Sequence, residues 1–519
     1  MKARLSFEML ARHYEAASTG RRTQNWKKPS SDANAAVSGG LSSLRAIARD
    51  LVRNNPHAES AISTIADHTV GWGIVPTPNP ENARAAAVWK EWADTTDCDA
   101  DGRHDFSGLQ KLAMRTVVEA GEVLVRRRLR FPDDGLPIPM QIQVLEPDYL
   151  DTAKTIERLP GGGRILYGVE FNAIGRRVAY WLFPEHPGAS LSSFSNSSVR
   201  VRAENVIHVY RQTRPGQVRG ISWFAPVVLR IKNFDEYEDA QLEKQKIAAC
   251  TAVITSDPDG SSTPLGQTTA DQPEVDMLEP GSILNILPGR TVDIVQPPRV
   301  GEYGSYASVT LRGIAAGLGV TYEDMTGDYT NLPFSAARMS RLRHWARVLD
   351  WRWQTLIPQL CRPTWRWAME SAAIMNLVSD DPLPTADWTA PPAPMIDPDK
   401  EGLAYQRLIR SGLSSLSEVL RERGYDPKVV LNELAGDFKQ LDALGLLLDS
   451  DPRNMTQAGQ IQSVAEAPEE DADDEDEDMM DDEEDNDETA RIAGWLSKLP
   501  ARQLKSLLGQ IGSRPNGGN

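Results

Sequence analysis

The sequence predicts an α+β protein in which an antiparallel sheet interrupts a largely helical chain. Three observations carry that prediction. Apolar residues recur at helical spacing from Leu44 to about Ala120. They switch to period-two alternation between Ile138 and Tyr210. Helical spacing then returns and extends, with breaks, to about residue 450. At 519 residues the chain exceeds one small core, so two to four structural units are expected.

The elements follow in order. Residues 1–40 are polar, apart from a short helical spacing near Phe7 to Ala17. Leu44, Ile47, Ala48, Leu51 and Val52 share one face of a helix. Asn54-Asn55-Pro56 breaks it, a second helix runs to about Val70, and Gly71-Trp72-Gly73 turns the chain. Helices around Ala85–Trp92 and Phe106–Ala120 come next. Ile138, Met140, Ile142 and Val144 alternate as a half-buried strand does. Leu166–Phe171 and Arg176–Phe183 read as strands around a turn at Asn172–Gly175, and Val199–Tyr210 adds more strand. Gly220-Ile221-Ser222-Trp223 closes this unit. A helix from Phe224 to Cys250 follows, roughly 38 Å long at ~1.5 Å per residue. Its middle carries Asp235, Glu236, Glu238, Asp239 and Glu243. Residues 251–302 are rich in Pro, Gly, Asp and Thr, with strand-like pieces at Ile283–Leu287 and Val292–Val295.

The stretch Leu311–His344 is the most distinctive. Gly317 and Gly319 fit a helix end, where glycine accepts the left-handed conformation. Thr321 with Asp324 reads as an N-cap for one helical turn, closed by Gly327. Asp328-Tyr329-Thr330-Asn331 is then a polar loop, and Pro333 sets the start of a helix to Ile357 that continues, kinked, past Pro358 and Pro363. A proline-rich crossing, Trp388-Thr389-Ala390-Pro391-Pro392, leads into helices over 399–450. Residues 469–488 hold 16 carboxylates and no Lys or Arg, which predicts a solvated, disordered run. Amphipathic spacing returns in Thr489–Ile511.

The net charge of −17 resides almost wholly in that acidic run, so the folded body is nearly neutral and a polyanionic partner is not excluded. Cys98, Cys250 and Cys361 are far apart and odd in number, which predicts reduced thiols and no disulfide or zinc framework. No run of about 18 apolar residues is present, so no membrane span is expected. There is no P-loop or dinucleotide fingerprint, and no H-x-x-x-H pair among the seven histidines. Asp133-Asp134 and Asp380-Asp381 lie beside prolines in loops. No catalytic, cofactor-binding or metal-ligating residue is expected.

Arg338, Arg341, Arg343, Arg347 and Arg352 crowd one helix, against its macrodipole near the N-terminus. Acidic groups such as Asp328 or the 235–243 cluster, nucleic-acid phosphate or bulk solvent could each compensate. Trp345, Trp351 and Trp353 interleave with these arginines, as anchors of a subunit interface do, and favour pairing between subunits. Tyr329 could stack on a partner or pack on its own loop.

Five blocks, in order, resemble the lambda-type phage portal protein family. They are Tyr14-Glu15-Ala16-Ala17 with Arg21-Arg22 and Trp26; Arg45 to Gly73; Arg214 to Trp223; Tyr322-Glu323-Asp324 with Ser335-Ala336-Ala337-Arg338; and Trp388 to Ala404. The resemblance implies a non-enzymatic ring of copies, usually twelve, at one capsid vertex. Such a ring conducts double-stranded DNA non-specifically during packaging and ejection. It docks the terminase large subunit and a head–tail adaptor, and it nucleates assembly with major capsid and scaffold proteins. The expected place is the virion, after assembly in the bacterial host cytoplasm. The implied order is a mobile N-terminal arm (1–40), an α/β wing (41–222), a stem helix (223–250), a clip (251–302), a second stem helix (303–319) and a channel-loop region (320–334). A long wing helix (335–375), a helical crown (376–455), an acidic linker (456–488) and an amphipathic helical tail (489–519) complete it. On that reading Asp328, Tyr329, Thr330 and Asn331 meet DNA, Asp235, Glu238 and Asp239 line the stem, and Arg338, Arg341 and Arg347 join subunits. The competing functions are a head scaffold or adaptor without a channel, and a metal-dependent nuclease using Asp324 and Asp328.

Overall fold

The computed structural model describes residues 30–78, 82–189, 197–249, 253–256, 291–294, 303–330, 332–425, 427–446 and 448. The expected N-terminal helix, most of the clip, Cys250, Asn331, the acidic run and the tail helices lie outside them. The chain divides into two compact units, Met1–Leu434 and Ala435–Asn519.

The helical start forms as its punctuation dictates. After the single turn α1 (Ala35–Ser38), α2 (Leu41–Asn54) buries Leu41, Arg45, Ala48, Leu51 and Val52. Asn55 ends it and caps α3 (Pro56–Val70), its side-chain oxygen accepting from the Ala58 N–H at 2.9 Å. Strand β1 (Val75–Pro78) and α4 (Ala83–Ala93) lead to α5 (Phe106–Ala120), which Asp105 caps and Gly121, at φ +92°, stops.

The predicted single sheet is two separate sheets. The first has the order β3-β2-β8: β2 (Glu122–Leu129) lies between β3 (Met140–Leu145) and β8 (Val206–Tyr210), antiparallel to both. The second has the order β4-β5-β6-β7, from β4 (Arg164–Leu166), β5 (Val169–Phe171), β6 (Arg177–Leu182) and β7 (Val199–Arg202). The predicted strand Val199–Tyr210 splits at a turn over Ala203–Asn205, and its halves join different sheets. A small core of Leu124, Leu145, Val169, Tyr180, Leu182 and Val206 lies between the sheets.

Residues 223–227 form turns, with the Val227 and Val228 N–H groups both donating to the Phe224 carbonyl, and the long helix begins later than predicted, as α6 (Val228–Ala249). Strands β9 (Val253–Ser256) and β10 (Thr291–Ile294) pair antiparallel. Helix α7 (Tyr303–Leu318) runs back along α6, with Gly317 at Val227, Gly313 at Arg230 and Tyr303 at Glu238. A short α8 (Tyr322–Thr326) precedes α9 (Phe334–Asp350). Continuous with α9 are a π-helical segment (Trp351–Cys361) holding Pro358, and α10 (Arg362–Ile374). Pro358, which has no N–H to donate to a preceding carbonyl, lies inside this π-helical segment. Strand β11 (Ala386–Thr389) returns to pair with β1. Beyond it lie α11 (Pro398–Arg410), α12 (Leu416–Glu422) and α13 (Pro427–Leu444).

The main core joins α3, α4, α5, β2, α7 and α10. Trp89 is its aromatic centre, with ring centroids 5.4 Å from Trp92, 5.1 Å from Phe106, 5.1 Å from Trp365 and 6.2 Å from Trp388. Among the described residues no helix is long and apolar enough to cross a membrane.

Candidate functional site

The site begins where α7 meets α6. A Cβ on Gly313 would lie 2.5 Å from the Arg230 guanidinium carbon, and one on Gly317 only 2.3 Å from Val227 Cγ1. Gly317 thus lies in the last turn of α7, packed against Val227 just before α6, without the left-handed conformation. Gly319 alone is the stop, at φ +92°. Thr321 caps α8 as expected, accepting from the Asp324 N–H at 3.0 Å, and Gly327, at φ +71°, ends it. Asp328 then organises the loop. Its carboxylate accepts from the Thr330 N–H at 3.1 Å, the Thr330 hydroxyl, and the Tyr322 hydroxyl at 3.1 Å. Those hydrogen bonds, the Thr330 hydroxyl first, hold its pKa below the usual carboxylate range. Asp328, Tyr329 and Thr330 are all exposed, and the Tyr329 hydroxyl reaches Asp324 Oδ1 at 3.4 Å.

The three stem carboxylates differ. Asp235 is half-buried and accepts from Asn55 Nδ2 at 2.7 Å; burial, the largest cause, raises its pKa. Glu238 accepts from the Tyr303 hydroxyl at 2.5 Å, which pushes the Tyr303 pKa up to about 12. Asp239 is exposed, as are Glu236 and Glu243. Two of the three thus tie α6 to α3 and α7.

The arginines divide as well. Arg338 and Arg341 are exposed and Arg347 is half-buried beside Gly319. None of the three forms an ion pair among the described residues, where Glu370 takes Arg127 and Arg366 instead. Arg352 and Trp351 are corrections to the interface reading. Arg352 is buried and donates to the carbonyls of Thr69 (2.6 Å), His68 (2.8 Å) and Pro391 (2.6 Å), closing the end of α3. Burial lowers its pKa to about 10. Trp351 packs on Trp223 inside the core. Trp345 is half-buried, with Arg352 over its ring, and Trp353 is exposed.

Two clusters escape sequence reasoning. The first surrounds Glu122, which is fully buried at the start of β2. It accepts from Arg45 Nη2 (2.5 Å), Arg219 Nε (2.8 Å), His208 Nε2 (2.8 Å) and the Gly220 N–H (2.6 Å). Burial alone would raise its pKa, but Arg219, Arg45 and His208 hold it well below the carboxylate range. Burial is the main cause lowering the His208 pKa, and because the ionised carboxylate only accepts, His208 Nε2 carries the hydrogen it donates. Here Gly220 and Gly121 touch backbone to backbone: a Cβ on Gly220 would lie 2.2 Å from the Gly121 carbonyl oxygen. The second cluster brings His68 and His344 to 2.8 Å, with Asp324 beside them. Cys98 and Cys361 are free, buried thiols with raised pKa. Asp134 only closes its own turn, accepting from the Phe131 N–H at 2.9 Å.

The α+β body thus buries one charged cluster, around Glu122, and leaves a polar loop and an arginine-bearing helix face exposed. Comparison with known proteins shows which family it belongs to. Residues 19–352 match the family described as phage portal protein, lambda family, and the chain belongs to that family. It is 24% identical over 494 residues to a probable portal protein of Halomonas phage phiHAP-1, covering 90% of this chain and 93% of that one. It is 25% identical over 484 residues to the portal protein of Escherichia phage N15, covering 82% and 89%. Portal protein B of Escherichia phage lambda is 25% identical over 497 residues, covering 84% and 90%. Among solved structures, a chain from the neck of a native GTA particle computed with C12 symmetry is 14% identical, with a TM-score of 0.45, covering 73% of this chain and 94% of that one.

Proposed function

We propose that the chain assembles as a ring, twelve copies by family precedent, at one vertex of a phage capsid and conducts double-stranded DNA inward and later outward. In this reading it has no catalysis of its own, docks the terminase large subunit and a head–tail adaptor, and nucleates the procapsid. The regions assigned above as wing, stem, clip, channel loop and crown are its parts.

The observation that carries the reading is the outer face of α9 and its continuation. Met339, Leu342, Leu349 and Trp353 are between 42% and 67% exposed. With Ala346 they repeat at the spacing of a helix seam, and Arg338, Arg341 and Arg343 flank them. Alternating apolar and cationic groups at this spacing suit another chain better than water. Helix α6 offers the complement: Leu229, Glu236, Asp239 and Glu243 are exposed at helical spacing. The weak surface pairs Lys232–Glu236 and Lys246–Glu243 do not preclude it. Two different, complementary faces on one subunit make a heterologous contact, the kind that closes into rings. The loop is suited to passing DNA because Tyr329 and Thr330 offer no positive charge to hold phosphate.

Negative-stain imaging and native mass measurement test this. The expected particle is a ring with a central hole and a mass near twelve 57.3 kDa chains. Arg341→Glu should leave circular dichroism unchanged and abolish the ring. A chain that stays monomeric when co-expressed with its capsid proteins, or a charge-reversed variant with normal rings, refutes it.

A further inference from the structure

Three side chains that no sequence spacing links converge at the foot of the loop. His68 comes from α3, Asp324 from α8 and His344 from α9. His68 Nδ1 and His344 Nε2 are 2.8 Å apart, and one ligand atom of each of the three residues lies within 4.8 Å of the others. His344 is buried and the other two are half-buried. They face a cleft of about 150 Å³ whose wall includes Glu323, Tyr329 and Arg341.

The hydrogen bonding around the pair prepares both lone pairs. His344 Nδ1 faces the Gly319 carbonyl at 3.4 Å; donating there leaves Nε2 as a bare acceptor, aimed at His68. His68 Nδ1–H is then the donor of the pair. Moving that proton to the other ring nitrogen turns a second lone pair inward. Burial is the main cause drawing both imidazoles below their usual pKa, with the neighbouring His68 adding to it at His344. Two neutral imidazoles and a carboxylate are a donor set for divalent first-row transition metals and not for calcium or magnesium, which take oxygen.

We propose that His68, His344 and Asp324 bind one divalent transition-metal ion of the zinc class. With metal–nitrogen distances of about 2.05 Å, nitrogens 2.8 Å apart subtend about 86°; opening them to about 3.3 Å gives the tetrahedral angle. Helices α8 and α9 carry two of the ligands and flank the loop, and metal binding draws the Asp324 oxygen, within 4.8 Å of the pair, inward as the two rings turn toward the ion. Arg341, Arg347 and Arg352 oppose a cation here, and Asp324 and Asp67 favour it. Arg352 is already committed to three carbonyls. The fourth position opens on the cleft, beside Glu323. The ion joins α3, α8 and α9, and so fixes the base of the segment Asp328–Thr330. Only the meaning of that fixation rests on the channel-loop reading; the binding is a property of the single chain.

The test is calorimetric titration of Zn²⁺ into EDTA-stripped full-length protein, with bound metal counted by mass spectrometry after gel filtration. One ion per chain is expected. His344→Ala should abolish binding, and Asp324→Asn, a change at a half-buried position that keeps the fold, should weaken it at least about tenfold. His186→Ala, in the separate Glu146–Asp148–His186 group, should leave the stoichiometry at one. Zn²⁺ should also slow chymotryptic cleavage after the exposed Tyr329 in the wild type and not in Asp324→Asn. Absence of stoichiometric Zn²⁺, wild-type affinity in Asp324→Asn, or cleavage rates indifferent to metal overturns the proposal. Ring formation is scored separately, so loss of one result leaves the other readable.

Discussion

Replacing Glu122 with Ala should come close to unfolding the body. The carboxylate lies at 0% exposure between Arg45 and Arg219, themselves 2% and 3% exposed. Removing one partner of a buried pair costs about 3–5 kcal/mol, because the remaining charge stays buried without its counterion. Here two guanidiniums lose the same partner, and the Gly220 N–H loses its acceptor, another ~1–3 kcal/mol. These losses share one carboxylate and do not add in full, so a net loss of about 5 kcal/mol is expected. Domain stabilities are roughly 5–15 kcal/mol, so the variant sits at the lower edge of folding. Urea denaturation of the unassembled chain, followed by tryptophan fluorescence and circular dichroism, measures it. A loss below about 1 kcal/mol refutes the reasoning and makes Glu122 a satisfied but dispensable group. The same residue sets an acid limit. Its folded pKa lies well below the unfolded ~4.3, so its stabilisation is complete above ~4.3 and fades as pH falls toward the folded value. The slope is at most about 1.4 kcal/mol per pH unit, and Glu122→Gln should flatten that part of the profile.

Three further outcomes follow from other contacts. Gly220→Ala forces a methyl against the Gly121 carbonyl and should lower stability by about 2 kcal/mol or more in the same urea assay. Leu342→Asp, on the exposed seam of α9, should leave monomer stability within about 0.5 kcal/mol and prevent rings on negative-stain grids. The His68–His344 pair is held neutral by burial, so the unfolded chain binds more protons once pH falls below ~6.5; stability should decline from there toward the folded pKa values. His344→Gln should reduce that decline, read from thermal melts between pH 5 and pH 7.5 in EDTA.

Much of the helical framework was legible because its boundaries are written in local chemistry. Asn55 caps α3, Asp105 caps α5 and Gly121 stops it, and each acts within four residues of its own position. The central strand β2 was not, because Arg126-Arg127-Arg128 makes its second half look like a solvated run. Arg127 in fact reaches Glu370 at 2.7 Å, and Arg128 reaches Gln143 at 2.6 Å on the neighbouring strand. Spacing also could not separate Arg352 from the arginines before it: the difference is the end of α3, distant in sequence, that accepts its hydrogen bonds. The histidine pair has the same cause, since its members are 276 positions apart. Glu122 had no signal of its own, being one acid beside an apolar strand; its partners come from three separate segments.

The pairing of β1 with β11 has a consequence for synthesis. Thr77 and Thr389, whose hydroxyls meet at 3.0 Å, are separated by 312 positions. At roughly 5–20 residues per second, a ribosome needs about 15–60 s to deliver the second strand after the first. Throughout that interval Trp89 lacks Trp365 and Trp388, and β1 is an unsatisfied strand edge. The nascent chain is therefore exposed to aggregation and to chaperones for most of its translation. A fragment ended at residue 352, where the family match stops, would carry that vulnerability permanently.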